Sequence, residues 1–388
     1  MSAARRVLVA CASFKGTLSS AQAGQALARG LRRAGFAADV VALADGGEGL
    51  VEALHRAVPG AWLETARVRG PLLEKRSARF ALLPPPRGSK RPTAVLEMAA
   101  SSGLPLVPEA KRDPKITSTW GVGDQIRAAL DAGAGRILLG IGGSATNDGG
   151  AGMAQALGAR LLDAAGRELP AGGAALLELD RIDLSGLDAR LKRVPVTVAC
   201  DVTNPLTGTR GASAVYGPQK GATPRDVALL DRALSRFAKI AARDLGRDVR
   251  RLRGAGAAGG LGAGCVAFLN AELKPGIELA LDAIGFDVRL RGAGLALTGE
   301  GRLDRQTLMG KAPAGVARRA KAAGVGCVAV GGAIEADARA ALARRFVALE
   351  SLIRFAGSRE AALRDGARWL ERLAEARAEA WWAAGGRR

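Results

Sequence analysis

The strongest constraint on this chain is an alternation: short apolar runs recur along it, and helical patterns fill the intervals. The runs are Arg6–Ala12, Asp39–Leu43, Ala94–Met98, Arg136–Ile141, Val194–Ala199, Gly294–Thr298 and Cys327–Val330. Several are nearly continuous Val, Ile, Leu and Ala, the composition of parallel strands covered on both faces. The intervals open on helix-start signals. Ser19 with Gln22 makes a capping-box pattern, and Ala23, Ala26, Leu27 and Leu31 then repeat at helical spacing. Thr223, Pro224 and Asp226 open a second helix, with Val227, Leu230, Leu234, Phe237 and Ile240 along one face. This alternation predicts an α/β fold with a mainly parallel sheet.

Two stretches break the rhythm. Residues 68–115 read as extended and proline-rich, with consecutive prolines at 84–86. Residues 201–221 are dense in turn pairs: Asn204-Pro205, Thr207-Gly208, Arg210-Gly211 and Gly217-Pro218. Both are expected to belong to an inserted second domain, and 388 residues leave room for two cores.

Other function classes are disfavoured by composition. The uncharged stretch 254–271 carries six glycines and an asparagine, poor material for a membrane span. The apolar run after Arg5 and Arg6 is short and ends in Phe14-Lys15, so a first strand is expected there, not a signal peptide. Cys11, Cys200, Cys265 and Cys327 are scattered, which predicts buried free thiols in a reducing cytoplasm. The formal charge of +20 is dispersed, and aromatics are only 4%, so neither a basic block nor a stacking platform for nucleic acid is present. His55 is the only histidine, which excludes a two-histidine metal site and leaves general-base work to carboxylates.

Chemistry concentrates where apolar runs end in glycine plus an acid or hydroxyl. Such ends are Asp45-Gly46-Gly47-Glu48, Gly142-Gly143-Ser144-Ala145-Thr146-Asn147-Asp148, Cys200-Asp201 and Thr298-Gly299-Glu300-Gly301. In open α/β sheets ligands bind at the carboxyl ends of strands. Carboxylates and bare backbone N–H groups gathered there suit a magnesium nucleotide. In the 142–148 segment the glycines would let backbone approach an anion, Ser144 and Thr146 would add hydroxyls, and the following helix would add its positive end. Gly254–Gly259 matches a GxGxxG string, but Arg250-Arg251-Leu252-Arg253 stands where a strand should precede it, so a close-packed or flexible loop is expected instead of a dinucleotide site. Gly310-Lys311-Ala312 lacks the rest of a P-loop. Lys15, just past the first strand, could reach a phosphate or a substrate carboxylate.

The blocks ASFKGTLS, ADGGEG, LEMAASSGLPL, GIGGSATNDGGAGMAQALG, CDVTNPLTG, YGPQKGA, GAGAAGGLG and TGEGRLDRQT occur in one order between Val7 and Gly332. Together they resemble the type I glycerate kinase family. The segment Trp120–Gln125 departs from that family's plainer pattern, and the tail beyond about Leu349 is nondescript, its tryptophans 369, 381 and 382 expected in helix packing. The chain is expected to be a cytoplasmic monomer or homodimer that binds neither nucleic acid nor membrane. The resemblance implies ATP-dependent phosphorylation of D-glycerate to 2-phosphoglycerate with magnesium, the nearest alternative being a kinase of another small hydroxy acid and the more distant one a nucleic-acid-associated protein. It also implies two α/β domains: a Rossmann-like one from residues 1–66 and 286–388, and an inserted one from 67–285, with 116–160 assignable to either.

The expected roles follow from placing these residues in that reaction. Gly142, Gly143, Ser144, Thr146 and Asn147 would cradle phosphate. Asp148 and Asp201 would hold the metal, with Asp45 and Glu48 available for metal or substrate. Lys15 and Lys220 would offset anionic charge, and Asn204 and Asp304 would touch substrate. Asp201, ahead of Glu300 and the other acids, would take the acceptor proton.

Overall fold

A computed structural model describes residues 5–387 apart from 15, 44–48 and 87. Its strands are β1 (Arg6–Cys11), β2 (Ala37–Ala42), β3 (Trp62–Arg69), β4 (Lys75–Leu83), β5 (Thr93–Glu97), β6 (Arg136–Gly140), β7 (Arg160–Leu162), β8 (Arg181–Asp183), β9 (Val196–Ala199), β10 (Glu272–Lys274), β11 (Leu295–Leu303), β12 (Gly326–Ile334) and β13 (Ala348–Ser351). All seven apolar runs are strands. The chain divides into two compact units, residues 1–45 with 277–388 and residues 46–276.

The first unit is built on a five-stranded sheet in the order β13-β12-β11-β1-β2, parallel throughout. Starting from β1 the chain steps one way to β2, then the other way through β11, β12 and β13. That reversal between β1 and β11 is the switch point at which doubly wound sheets open a crevice. Cys11 and Gly299 are register partners there, so Glu300 follows at the carboxyl end of the pair. The Ser20–Arg33 helix starts on the expected capping box, Ser19 with Gln22. It packs on the Gly366–Gly385 helix so closely that a Cβ at Gly30 would lie 2.1 Å from the Glu371 carbonyl. Val7, Val9, Leu27, Leu31, Leu297, Val328, Leu370 and Trp381 form the core, with Trp369 and Trp382 packed against it. Each such large apolar side chain stabilises by about 1.5–3 kcal/mol relative to exposure. The tail tryptophans are therefore packing residues, and Trp381 also donates its ring N–H to Glu350 at 3.2 Å.

The second unit carries a six-stranded sheet in the order β10-β9-β6-β5-β4-β3. β10, β9, β6 and β5 run parallel, and β3, β4 and β5 are antiparallel neighbours. The β3–β4 hairpin replaces part of the stretch read as merely extended. In β3 the buried Ala66 and Val68 alternate with exposed Thr65, Arg67 and Arg69, and β4 is polar from Lys75 to Ser77 before its buried apolar end Phe80–Leu83. The hairpin also moves the boundary: cuts expected at 66/67 and 285/286 fall at 45/46 and 276/277. β3 pairs with β4 along its whole length, and β6 lies between β5 and β9, so residues 116–160 belong with the second unit. At the other cut, Ile277 packs on Gly315 of the first unit. The second long helix, Pro224–Leu245, opens on the predicted Thr223–Asp226 capping box.

Candidate active site

In the second unit Gly140 and Ala199 are register partners at the ends of β6 and β9. The segments that leave these strands therefore run side by side. Ile141–Ser144 and Cys200–Val202 line one cavity of about 490 Å³, which Arg112, Tyr216 and Gln219 also line. That volume lies within the range of small-molecule sites, at the carboxyl end of a parallel sheet where ligands are expected.

The loop wall is held by backbone. Gly143 adopts φ +71°, which a side chain would resist. Its carbonyl accepts Leu104 N–H at 2.8 Å, and Ala145 N–H donates to the Ser102 carbonyl at 2.9 Å. Gly142 and Gly143 are exposed, Ser144 is nearly buried, and everything from Ala145 to Gly150 is buried. So only the first half of the expected phosphate cradle faces the cavity.

The second half is scaffold. Thr146 and Asn147 are fully buried, and Asn147 donates from its amide to Ser213 Oγ at 3.0 Å. Thr146 Oγ1 and Asn147 Oδ1 have no hydrogen-bond partner among the described residues. Asp148, expected on the metal, accepts from Thr119 N–H at 2.8 Å, Thr119 Oγ1 at 2.9 Å, Gly150 N–H at 3.1 Å and Gly152 N–H at 3.3 Å. Burial pushes its pKa up, outweighing the hydrogen bonds from Thr119, Gly150 and Gly152 that act to lower it. Asp148 is fully buried and is not among the residues that line the cavity. Asp148 is itself the anion at the start of the Ala151–Ala156 helix, so that helix end, expected to serve a ligand, is already occupied. The Gly254–Gly259 string packs behind the loop: at Gly259, φ +67°, a Cβ would lie 1.9 Å from the Thr146 carbonyl. Close packing, not dinucleotide binding, accounts for those glycines.

Lys220, expected on the substrate, is also buried. Its Nζ donates to Ser144 Oγ and to the Thr146 carbonyl, both at 2.7 Å. Burial lowers its pKa to about 7, while Asp148 pulls the other way. Asn204 is spent on the local fold, donating to the Arg210 carbonyl and accepting from Tyr216 Oη, each at 2.8 Å. Asp201 is exposed on the cavity wall, with Oδ1 accepting Gly276 N–H at 2.8 Å, which fixes the carboxylate's orientation. Cys200 beside it is half-buried, not buried as expected, and burial raises its thiol to about 11, so it stays protonated.

In the first unit Glu300 is nearly buried at the β1–β11 switch point and accepts from Thr307 Oγ1 at 2.5 Å. Thr307 also binds Asp304, donating its N–H to Oδ1 at 3.0 Å. Burial alone would raise Asp304, but Thr307 N–H and Lys311 hold it below the ordinary carboxylate range. Lys15, Asp45 and Glu48 lie outside the described residues.

A model of the glycerate kinase family matches residues 7–382. The chain belongs to the glycerate kinase family. It is 49% identical over 371 residues to a glycerate kinase of Bacillus subtilis (strain 168), covering 95% of this chain and 96% of that one. A glycerate 2-kinase of Escherichia coli (strain K12) is 49% identical over 318 residues, 81% of this chain and 82% of the other. The crystal structure of a Salmonella typhimurium LT2 protein assigned as glycerate kinase 2 superposes with a TM-score of 0.82 at 43% identity, covering 98% and 99% of the two chains.

For this glycerate kinase family member, the cavity brings together Gly142, Gly143, Ser144 and Asp201 of the expected residues. It adds three that the sequence did not single out: Arg112, Tyr216 and Gln219. Arg112 makes no ion pair among the described residues, and its Nε is buried without a partner. A guanidinium in a cavity suits phosphate or carboxylate oxygens. Its position in the proline-rich stretch gave no signal, whereas Tyr216 and Gln219 stand inside YGPQKGA. Among the described residues no three His, Cys, Asp or Glu side chains form a metal cluster. Magnesium that arrives on a nucleotide needs only one or two protein carboxylates, and Asp201 fits that requirement.

Proposed function

We propose that the protein transfers the γ-phosphoryl group of ATP to D-glycerate, giving ADP and 2-phosphoglycerate. The observation that carries this reading is the coincidence of a family match spanning residues 7–382 with a cavity that sets Asp201 opposite a bare glycine loop. Phosphoryl transfer needs little covalent help from protein; it needs positioning and charge stabilisation. Gly142, Gly143, Ser144 and Arg112 supply donors for anionic oxygens. Asp201 accepts the proton of the acceptor hydroxyl as its oxygen bonds to the γ-phosphorus. The bond from that phosphorus to the β–γ bridging oxygen breaks, ADP leaves with the electron pair, and Asp201 returns its proton to solvent. Magnesium arriving with the nucleotide would supply charge neutralisation at the phosphate oxygens, and Asp201 is the described cavity carboxylate that would hold it.

The supports for a cytoplasmic setting are separate: the four cysteines are unpaired, as in a reducing compartment, and no helix among the described residues is long and apolar enough to cross a membrane. The test of the reaction is an ADP-release assay with ATP, magnesium and D-glycerate, with the product resolved by phosphorus NMR. Turnover to 2-phosphoglycerate is expected. A folded protein that binds magnesium–ATP but leaves D-glycerate untouched would overturn the acceptor and direct the search to other hydroxy acids.

A further inference from the structure

Lys220 ends the short 3-10 helix Pro218–Lys220 and is 1% exposed, so it cannot be a direct substrate contact. An ammonium has three donors and no acceptor, so Ser144 Oγ can only accept from Lys220 Nζ at their 2.7 Å separation. The Ser144 hydrogen must then point elsewhere, and Ser144 lines the cavity beside Gly142 and Gly143. The second hydrogen bond of Nζ, to the Thr146 carbonyl, ties the same ammonium to the buried half of the loop.

We infer that Lys220 is a positioning residue whose ammonium fixes the Ser144 hydroxyl as a donor toward an anionic oxygen, phosphoryl or carboxylate, in the cavity. The nature of that anion rests on the glycerate kinase reading; the orientation of Ser144 rests on geometry. A bound anion would lie one hydroxyl beyond Nζ, close enough in a poorly solvated site for the buried charge to act on it. Asp148 is the carboxylate that acts on Lys220, and Arg112 is the other charged residue beside it, its backbone packed against Gly221.

The device has a protonation signature. With its pKa lowered to about 7 by burial, Lys220 loses its charge within a physiological range. A neutral amine offers a lone pair, takes the Ser144 hydrogen, and turns that hydroxyl from donor into acceptor toward the ligand. Anion binding favours the ammonium, so binding above about pH 7 takes up a proton, and affinity falls as pH rises, by up to about tenfold per pH unit.

The wild-type enzyme tests this without any variant. Calorimetry with magnesium–ADP and, separately, D-glycerate, in buffers of different ionisation enthalpy near pH 8, should show proton uptake with one of the two. That ligand identifies the anion, phosphoryl or carboxylate, and its affinity should drop about tenfold or more between about pH 6.5 and 8.5. Lys220→Arg should retain tight binding with a flattened pH profile, and it also corrects for titration of the nucleotide's own phosphate. Lys220→Met should be flat at the weak level. Ser144→Ala should weaken the same ligand about tenfold and spare the other, the loss of one charge-assisted hydrogen bond. No proton uptake with either ligand, or a folded Lys220→Met protein with the wild-type profile, overturns the inference. An enzyme that turns over glycerate without a linked proton would lose this inference and keep the function. One that binds magnesium–ADP with a linked proton but does not turn over would lose the function and keep the inference.

Discussion

The two halves of the segment Ile141–Asp148 share one run of sequence and have opposite fates. Gly142, Gly143 and Ser144 open onto the cavity, whereas Thr146, Asn147 and Asp148 are fully buried behind it. The difference is set by what packs behind. Gly259 and Gly264 approach the 146–150 backbone so closely that a Cβ at either would fall within 2.3 Å of a carbonyl oxygen. Polar residues in a glycine-rich loop can thus be scaffold as readily as receptor, and the hydrogen bonds of each decide which.

That contrast can be broken most forcefully at Asp148. Asp148→Ala strands the N–H groups of Thr119, Gly150 and Gly152 in the interior and should cost roughly 3–5 kcal/mol in urea denaturation. If Asp148→Ala left stability intact and abolished magnesium dependence, the buried half would be a ligand site after all. Asp201→Asn sharpens the other side of the comparison. It should lower kcat by about a hundredfold or more at saturating magnesium and leave the unfolding midpoint in place. A change confined to the magnesium concentration needed for half-maximal rate would reassign Asp201 from proton acceptor to metal ligand. Arg112→Ala, on the cavity wall, should raise a substrate KM by about tenfold with little change in stability, since its guanidinium has no ion pair to lose among the described residues.

The smallest effect is the stability contribution of Lys220 itself. Its folded pKa of about 7 lies below the 10.5 of an ordinary lysine, so between those values the unfolded chain binds more protons. Stability should therefore rise with pH from about 7 to 8.5, by at most about 1.4 kcal/mol per unit. Above that range the thiol of Cys200, raised to about 11, and that of Cys11, raised to about 12, act in the opposite sense. Melts of wild type and Lys220→Met across that interval would isolate the lysine, whose removal should abolish its share of the slope.

Much of this architecture was legible in the residues. Parallel strands buried on both faces leave continuous apolar runs, which is why β1, β2, β5, β6, β9, β11 and β12 could be located. The hairpin of β3 and β4 intersperses charged residues over most of its length, and its short apolar end Phe80–Leu83 runs straight into prolines 84–86, which hid it. At the site, Gly142, Gly143, Ser144 and Asp201 were readable because strand ends in such sheets are where ligands bind. The burial of Asn147 and Asp148 was not readable, because it depends on glycines more than a hundred residues away, nor was that of Lys220, which is held by Ser144 and Thr146 over seventy residues earlier. Arg112 was missed for the converse reason: one arginine among 57 basic residues has no distinguishing local pattern.

The sheet order of the first unit also carries a consequence for synthesis on the ribosome. β1 and β2 precede the sheet's central strand, β11, which borders β1 and begins only at Leu295. Residues 46–276 are made in between and form a unit of their own. At about 5–20 residues per second the β1–β2 segment waits on the order of thirteen to fifty seconds for a partner on its open side. During that wait Val7, Val9 and Leu27 have no core to enter, so the nascent N-terminal segment is where chaperones would be needed most.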